Sequence, residues 1–394
     1  MKYNWPTKKL GEVCKIYNGG TPDTKKLSYW GSDHFWITPK DMGSLIDMYV
    51  EETSRKITDA GLKNSSAKIL PPNSIILSSR APIGYLAINK VPMATNQGCK
   101  GLIPNKELGF LFLFYFLFNS TELLNKLGSG TTFKELSGSK LAEIEIPLPS
   151  LPEQQRIVKL LDEIFEKITK AKENTEKNLQ NTKDLFESYL QSVFANPDYE
   201  VKTLGELCKS VEYGSSSKSK TIGEIPVLRM GNIQNSRFDW NNLVYSDDIE
   251  ENKKYLLKYN DVLFNRTNSP ELVGKTAIYK GEMPAIFAGY LIRINRNENL
   301  LDADYLNYFL NSDIAKDYGK TVVISSVNQA NINGTKLKNY PIPAPSLVDQ
   351  KTIVAKLDAL SEQTKKLETI YKQKLADLEE LKKAVLRSAF AGKL

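Results

Sequence analysis

Residues that bind metals or form disulfides are scarce in this sequence. Its 394 residues include one histidine, His34, and three cysteines, Cys14, Cys99 and Cys208. No usual zinc or iron–sulfur ligand spacing can be assembled from these four positions, so no metal site is predicted. Three cysteines cannot build a disulfide framework either, which favours a reducing compartment and predicts a cytoplasmic protein.

Long hydrophobic runs are missing as well. The most apolar run, Phe110–Phe118, is far shorter than the roughly 20 residues that a transmembrane helix needs. This run is predicted to be a buried core helix instead. The first residues, Met1–Val13, lack the apolar stretch of a secretory signal. No membrane partner is therefore expected.

Neither sign of charge is in strong excess. The chain has 53 lysine and arginine residues against 46 aspartate and glutamate residues, a net charge of +7. This mildly basic balance permits a polyanionic partner without requiring one. No segment is strongly basic, so if the chain binds DNA, partner proteins are expected to supply many of the contacts to the DNA backbone.

What the sequence does contain is an internal repeat of about half its length. Five motifs return in the same order: Leu10–Lys15 as Leu204–Lys209, Tyr115–Leu117 as Tyr308–Leu310, Gly138–Leu141 as Gly334–Leu337, Ile146–Leu151 as Ile342–Leu347, and Ile157–Val158 as Ile353–Val354. Chance does not give five matches in order. Two homologous copies related by a pseudo-two-fold repeat are therefore predicted.

Each copy has two parts. The first part, residues 1–150 or 197–346, mixes short β-rich runs and helical stretches between Gly, Pro and Asn, which predicts a globule. The second part, residues 151–196 or 347–394, follows a pair of prolines and predicts a long helix. The expected fold class is α+β, with two homologous mixed α/β globules joined by two long helices.

The long helices carry an apolar seam. Apolar side chains recur at alternating spacings of three and four residues, the 3.5-residue period of a coiled coil. The seam consists of Ile157, Leu161, Ile164, Ile168, Leu185 and Tyr189 in the first helix and of Ile353, Leu357, Leu360, Leu367, Leu378, Leu381 and Val385 in the second. An intramolecular coiled coil is predicted. The alternative is two independent helices that each lie on their own globule, but each globule is too small to cover so long a helix.

Enzyme motifs are incomplete wherever they begin to form. Gly274-Lys275-Thr276 resembles the end of a phosphate-binding loop, but Ser269 stands where its first glycine should be. Asn196-Pro197-Asp198-Tyr199 lacks the second proline of the Asn-Pro-Pro-Tyr tetrapeptide of amino-methyltransferases, and it is better explained as a helix terminator. No catalytic residue is predicted.

Polar loops that follow apolar strands are the best candidates for function. Arg, Lys, Asn and Gln are the side chains that pair with purine edges in the major groove of DNA. Such loops occur at corresponding places in both copies. Their candidate DNA-binding residues are Thr38, Lys40, Asp41, Arg80, Asn96 and Gln97 in the first copy and Arg229, Asn232, Gln234, Arg266, Asn268, Asn328 and Gln329 in the second. For any single residue, a solvated turn with its own capping bonds is the alternative.

These features together resemble the specificity (S) subunit of type I restriction–modification enzymes over essentially the whole chain. The resemblance rests on the half-length duplication and on the motif Ile146–Val158 before the first long helix. The runs Tyr29–Met42 and Pro226–Gln234 are similar to frequent openings of target-recognition domains in that family. The ending Leu386–Leu394 also fits. The second copy departs from the Pro-Glu-Gln-Gln pattern and reads Val348-Asp349-Gln350-Lys351.

The resemblance implies a division of labour between subunits. Each globule would read one half of a bipartite double-stranded DNA target. The two helices would pack antiparallel, act as a spacer and dock two modification (methyltransferase) subunits, which methylate adenine with S-adenosylmethionine. A separate restriction subunit would use ATP and Mg. This chain would hold no cofactor and no catalytic residue.

Two other interpretations remain compatible with the sequence. A coiled-coil scaffold that does not read DNA would share the repeat and the helices. An orphan methyltransferase would need a cofactor loop and a complete Asn-Pro-Pro-Tyr or its equivalent, which the sequence lacks.

Overall fold

The structure, a computed structural model, describes residues 5–80, 82–130, 134–326 and 329–394, with only the backbone of Ser325, Ser326 and Gln329. The chain divides into two compact units. The first comprises the residues up to Thr175 together with Gln373–Leu394, and the second comprises Glu176–Lys372. Each unit therefore combines one globule with about half of each long helix, which differs from the four consecutive segments drawn from the sequence.

The first globule combines short strands with short helices. Among its described residues the strands are β1 (Thr7–Lys9), β2 (Cys14–Asn18), β3 (Trp30–Ile37), β4 (Tyr49–Val50), β5 (Lys56–Ile57), β6 (Ile75–Ser79), β7 (Ile83–Asn89), β8 (Met93–Thr95), β9 (Cys99–Pro104) and β10 (Glu145–Pro147). The helices are α1 (Leu10–Val13), α2 (Pro39–Gly43), α3 (Asp59–Lys63), α4 (Phe110–Asn119), α5 (Thr121–Leu127) and α6 (Gly138–Ala142). Residues Leu27–Tyr29 form a 3-10 turn.

Two sheets of the first globule carry its polar loops. The larger sheet has the order β2-β9-β6-β7-β4, and the second has the order β5-β3-β8 with β3 and β8 parallel. Strand β6 is buried along its whole length because one of its faces packs on α4 and the other on the second sheet. A strand buried on both faces reads as a continuous apolar run, as Ile75–Leu77 does.

Helix α4 confirms the predicted core helix. Its sequence is apolar on every side, and Phe112, Leu113 and Phe116 are almost fully buried. The Phe390 ring, at the end of the second long helix, packs edge-on against the Phe112 and Phe116 rings with centroid distances of 5.1 and 5.6 Å. An all-apolar helix is stable here because the sheet covers one side and the long helices cover the other.

The second globule repeats this plan with some additional strands. Its described strands are β11 (Val201–Thr203), β12 (Cys208–Tyr213), β13 (Ile225–Leu228), β14 (Ile233–Gln234), β15 (Arg237–Phe238), β16 (Val244–Ser246), β17 (Val262–Asn265), β18 (Thr267–Asn268), β19 (Thr276–Ile278), β20 (Ile286–Phe287), β21 (Leu291–Arg296), β22 (Ile324–Ser326), β23 (Gln329–Asn331) and β24 (Pro341–Pro343). Its helices are α8 (Leu204–Leu207), α9 (Ile249–Tyr255), α10 (Ala303–Asn311), α11 (Asp313–Val322) and α12 (Gly334–Lys338), with a 3-10 turn at Met230–Asn232. The two remaining helices are α7 (Leu151–Phe194), the first long helix, and α13 (Leu347–Phe390), the second long helix.

Corresponding sheets occur in the second globule. The order β12-β21-β17-β19 matches the larger sheet of the first globule, and β16-β13-β20 matches the smaller one, with β13 and β20 parallel. In both globules the first strand pairs antiparallel with the strand before the long helix, Thr7 opposite Pro147 and Val201 opposite Pro343. The chain therefore enters and leaves each globule on adjacent strands. The predicted α+β fold of two homologous globules is confirmed.

The predicted long helices are present and contain 44 residues each, about 66 Å at 1.5 Å per residue. In the first unit their segments run antiparallel. Lys172 forms an ion pair with Glu379 at 2.8 Å, and the Arg156 guanidinium donates to the Leu394 carbonyl at 2.9 Å. In the second unit Leu190 and Phe194 share one apolar cluster with Ile353 and Leu357.

Burial corrects three positions of the predicted seam. Fully buried members are Ile157, Leu161, Ile168, Ile353 and Leu357, and partly buried members are Ile164, Tyr189, Leu360, Leu378 and Val385. Leu185, Leu367 and Leu381 are exposed. A straight α-helix has 3.6 residues per turn, so a strict 3.5-residue pattern drifts off the buried face. Beyond Thr182 the first long helix packs on the second globule, where Phe186 and Leu190, rather than Leu185, face the apolar cluster.

Within the described ranges, no helix has both the length and the apolar content that crossing a membrane would require.

Candidate nucleic-acid interface

Three strand ends meet at one edge of the first globule, called the first polar edge. Strands β3 and β8 are parallel neighbours, and the Asn96 amide donates to the Ile37 carbonyl at 2.8 Å. Strand β6 ends beside them, since the Ser79 amide donates to the Gly98 carbonyl at 2.7 Å. The loops after these strands therefore lie together. They contain the predicted residues Thr38, Lys40, Asp41, Arg80, Asn96 and Gln97.

The same convergence forms a second polar edge in the second globule. Strands β13 and β20 are parallel, and the Ala288 amide donates to the Leu228 carbonyl at 2.9 Å. The Arg266 amide donates to the Tyr290 carbonyl at 3.0 Å, which holds the end of β17 against the loop after β20. The predicted residues Arg229, Asn232, Gln234, Arg266 and Asn268 stand in these loops. Asn328 lies outside the described residues, and only the backbone of Gln329 is described.

Two predicted residues of the first polar edge are engaged in capping α2. The Thr38 hydroxyl accepts from the Asp41 amide at 3.3 Å, and the Asp41 carboxylate accepts from the Thr38 amide at 2.8 Å. Burial alone would raise the pKa of Asp41, but hydrogen bonds from Ser54 and Thr38 outweigh it and lower the pKa below its usual value. This reciprocal capping box leaves Lys40, which is exposed, as the side chain of this loop that can reach a ligand.

Two predicted asparagines brace their own loops. The side-chain oxygen of Asn96 accepts from the Gly98 amide at 2.8 Å. Asn232 is buried, and its amide group donates to the Asp239 carbonyl at 3.0 Å. These bonds hold the loop backbone in shape, because Asn readily replaces a backbone partner in a turn. Asn96 and Asn232 therefore shape the edges rather than presenting free hydrogen-bonding groups.

The first polar edge contains a charged cluster that the sequence pattern missed. Glu135 lies between two cations, with Oε2 4.0 Å from Arg80 Nη1 and Oε1 3.6 Å from Lys100 Nζ. The Lys100 side chain is only 6% exposed, whereas Arg80 and Glu135 are 38% and 45% exposed. Gln97, Lys100 and Glu135 line a groove of about 1180 Å³. The cluster carries one positive charge in excess, and Lys100 and Glu135 face this groove.

The second polar edge contains amides where the first has charges. Register shows the correspondence, since Arg80 pairs with Glu135 and Thr267 pairs with Asn331. Asn331 therefore stands at the place of Glu135. Its side-chain oxygen lies 3.4 Å from Arg266 Nη2, and its amide donates to the Thr267 hydroxyl at 2.8 Å. The second polar edge therefore has a neutral amide at the position where the first polar edge has a carboxylate.

The two arginines after the buried strands are not equivalent, although the sequence presents them so. The Leu136 amide donates to the Ser79 carbonyl, and the Ile332 amide donates to the Arg266 carbonyl, both at 2.9 Å. Arg266 therefore occupies the position of Ser79, one residue before the position of Arg80. A one-residue shift in an extended chain reverses the side to which a side chain points. The Arg266 guanidinium accordingly packs over the Tyr213 ring, 4.9 Å from its centroid.

A cavity of about 630 Å³ gathers most of the second polar edge. Its polar lining includes the predicted residues Arg229, Asn232, Gln234 and Asn268 and the unpredicted residues Asn241, Asn242, Lys275 and Tyr290. The Arg229 guanidinium donates to the Asn242 carbonyl at 2.9 Å, which fixes its direction. In the sequence, Lys275 belongs only to an incomplete phosphate-binding motif. Its place in the cavity follows from the pairing of β17 with β19, which sequence spacing does not reveal.

The cysteines and the histidine are not among the candidate DNA-binding residues of either polar edge. Burial raises the pKa of the Cys14 and Cys99 thiols to about 12, so both stay protonated and behave as small apolar residues. His34 Nε2 lies 2.7 Å from Asp59 Oδ1, and Asp59 is exposed. In the part of the chain that the structure describes, no three His, Cys, Asp or Glu side chains are grouped so that they could hold a metal ion.

Two globules with corresponding polar edges, each carried on halves of two long helices, define a protein with two recognition modules. A family model described as the type I restriction modification DNA specificity domain matches residues 2–179 and again residues 196–379. The chain belongs to this family.

Curated relatives of the chain carry related names. The type I restriction enzyme MjaIX specificity subunit of Methanocaldococcus jannaschii is 38% identical, over 58% of this chain and 58% of the relative. The EcoR124I/EcoR124II specificity subunit of Escherichia coli is 31% identical, over 50% of this chain and 49% of the relative. The chain thus aligns with about half the length of these relatives. The StySPI specificity subunit of Salmonella potsdam is 24% identical, over 99% of this chain and 89% of the relative.

Solved structures share the fold. One comes from work on complex assembly and conformational transition of the type I R-M system and matches with a TM-score of 0.76 at 22% identity, over 100% of both chains. The HsdS subunit from Thermoanaerobacter tengcongensis matches with a TM-score of 0.68 at 22% identity, over 99% of this chain and 97% of that one. Both likenesses concern the fold of the two globules and the long helices.

Proposed function

We propose that this chain is the DNA-specificity subunit of a type I restriction–modification complex, with each globule reading one half of a bipartite target. The observation that carries the proposal is the repetition of the polar edge. Both globules bring the same three strand ends together, yet they present different side chains there. A shared frame with varied polar residues is what two readers of different base sequences need.

The chemistry of the edges suits base edges in the major groove. Arg and Lys donate two hydrogen bonds to the O6 and N7 atoms of guanine, and Asn and Gln pair with adenine. The first polar edge offers Lys40, Arg80 and Gln97, and the second offers Arg229, Gln234 and Asn268. Backbone contacts to phosphate would come in part from partners, because the net charge of +7 is small for a chain that binds DNA alone.

Catalysis would belong to partner subunits. Two modification subunits would dock on the long helices and methylate adenine with S-adenosylmethionine, and a restriction subunit would use ATP and Mg. This chain would contribute sequence recognition only. Its incomplete enzyme motifs support that role.

The decisive experiment is methylome sequencing of cells that produce the chain with its modification subunit. The expected result is methylated adenine in two short sequences separated by a spacer of one fixed length. The isolated chain serves as a control and should transfer no methyl group to DNA. Methylation without a bipartite sequence, or methylation that tracks the concentration of the isolated chain, would contradict the proposal. A coiled-coil scaffold that does not read DNA would show no sequence-selective binding of DNA, either alone or with the modification subunit.

A further inference from the structure

Each long helix is fastened to its globule by a buried glutamine in its first turn. The Gln154 side-chain oxygen accepts from the Gly109 amide at 2.8 Å, and its amide donates to the Glu107 and Pro149 carbonyls, both at 2.9 Å. Gly109 is the N-cap residue of α4. One side chain therefore joins the long helix, the segment that leads into it and the start of a globule helix.

The second copy repeats these bonds atom for atom. The Gln350 oxygen accepts from the Asp302 amide at 2.8 Å, and its amide donates to the Leu300 and Pro345 carbonyls, both at 2.9 Å. Asp302 is the N-cap residue of α10, the counterpart of α4. Both glutamines are at most 1% exposed. A buried amide with every bond satisfied specifies one geometry, since any shift leaves polar groups unpaired.

A second bond fastens the same two helices further along. The Tyr115 hydroxyl donates to the Asp162 carboxylate, and the Tyr308 hydroxyl donates to the Asp358 carboxylate at 2.6 Å. Each aspartate lies eight residues after the glutamine of its helix, about 12 Å along the axis. Burial first and the aspartate second raise the pKa of both tyrosines, so their hydroxyls remain donors at neutral pH.

Two fastening points have a mechanical consequence that one point lacks. A helix held only at its first turn can swing about that point. A second bond about 12 Å away opposes the swing, and it is a strong bond because the acceptor is charged. We call such a pair of attachment points a two-point mount. It consists of Gln154 and Asp162 in the first unit and of Gln350 and Asp358 in the second.

We propose that the two-point mount fixes the angle of each recognition globule on its long helix and so restricts the complex to one distance between the two half-sites. Tyr115, Gln154, Asp162 and their counterparts Tyr308, Gln350 and Asp358 are positioning residues for specificity. The inference rests on the proposed function, because the distance between half-sites is meaningful only for a bipartite reader.

The test uses the full chain with its modification subunit and a plasmid library in which the half-sites are constant and the spacer varies by up to two base pairs. The variant carries Tyr115→Phe and Tyr308→Phe, which remove two hydroxyls and keep the rings. The preference for the best spacer over its neighbours should fall about tenfold, as expected for the loss of hydrogen bonds to charged acceptors. The bases preferred in each half-site should stay the same.

Two further variants separate positioning from general stability. Tyr318→Phe removes a similar bond, from its hydroxyl to the Asn339 carbonyl at 3.0 Å, that lies within the second globule. It should leave the spacer preference unchanged. Asp162→Asn with Asp358→Asn keeps an oxygen acceptor for each tyrosine but removes its charge, so the spacer preference should lie between those of the wild type and the double phenylalanine variant.

The outcomes distinguish the two proposals. A double phenylalanine variant with the wild-type spacer preference would overturn the mount and leave the DNA-specificity role intact. Loss of methylation at every spacer would also overturn it, since the hydroxyls would then support folding rather than positioning. A wild-type complex without any bipartite preference would overturn the proposed function itself.

Discussion

Some polar side chains of the first polar edge are already hydrogen-bonded within the protein, whereas others are exposed. Two substitutions distinguish these two kinds of residue. Thr38→Ala removes the α2 cap and should lower the free energy of unfolding by about 1 kcal/mol, without changing base preference. Lys40→Ala should leave stability unchanged, because the side chain is exposed. If Lys40 reads a base, its loss should cost about 1–3 kcal/mol at one position of one half-site. Urea unfolding and methylome sequencing measure the two effects, and a uniform loss across sequences would mark Lys40 as a phosphate contact.

Glu135 and Asn331 offer a matched exchange, because register places them at corresponding positions. Glu135→Asn removes the carboxylate between Arg80 and Lys100 and should shift base preference at one position of the first half-site by about 1–3 kcal/mol. Asn331→Glu should act on the second half-site alone. Binding to a panel of singly altered targets measures both. If either exchange altered the opposite half-site, the assignment of one edge to one half would fail.

The polar strand-end loops could be predicted at this scale, whereas the partners of their side chains could not. Thr38 and Asp41 were candidates because their residue types suit base contacts, but the same types suit capping, and only the helix start at Pro39 decides between the two roles. Lys100 and Glu135 are 35 positions apart in the chain and carry no motif. They meet because β9, which contains Lys100, pairs with β6, and because Glu135 pairs with Arg80 directly after β6.

The long helices show the limits of periodicity at the scale of elements. Their existence follows from long stretches without glycine or proline, and the start of each seam is buried. The spacing alone could not show that the end of the first long helix packs on the second globule, beside the start of the second long helix, which leaves Leu185 exposed. Pairing between the long helices and packing on a globule, which the sequence presents as alternatives, both occur along the same helix: its start packs on the first globule and its end on the second.

Replacing Leu185 and Leu190 separately by alanine tests which face of the first long helix is buried near its end. Leu190 is 4% exposed and Leu185 is 53% exposed. Leu190→Ala should lower the free energy of unfolding by about 2–5 kcal/mol, because it leaves a cavity in the core of the second unit. Leu185→Ala should stay within about 0.5 kcal/mol. Urea unfolding measures both, and equal costs would show that the helix buries a different face.

The helices also predict how the spacer responds to length. Seven residues inserted near Thr175 and seven near Lys372 keep the seam in register and add about 10 Å. Since base pairs stack at about 3.4 Å, the preferred spacer should grow by around three base pairs. The added rotation about the duplex should weaken binding, because a full turn takes about 10 base pairs. Methylation of a spacer library is the measurement, and a folded double insertion with an unchanged spacer would rule out the helices as the ruler.

Each globule begins and ends in strands that pair with each other, so we expect that a globule can be exchanged as a unit. Replacing residues 1–146 with the corresponding segment of another family member should alter one half of the recognised sequence, because β1 and most of its partner β10 are exchanged together, before the first long helix begins at Leu151. Methylome sequencing of the exchanged chain decides the matter. A change in both halves, or in neither, would contradict the assignment of one globule to each half-site.

The duplication and the two globules could be predicted at the scale of the whole chain, because five motifs repeat in order. The grouping of residues 373–394 with the first globule could not be predicted from composition or spacing. It depends on where the second long helix ends, with Leu386, Ala389 and Phe390 packed against the first globule's core.

That grouping has a consequence for how the chain folds as it is synthesised. The second unit is continuous from Glu176 to Lys372, so all of it has been synthesised before the last part of the first unit is made. The first globule emerges earlier, but the aromatic cluster around Phe112 and Phe116 stays open on one side until Phe390 arrives. Domains generally fold from the N-terminus onward during translation. Here the order of completion is reversed, and the nascent first globule must wait, with apolar surface uncovered, for the end of the second long helix.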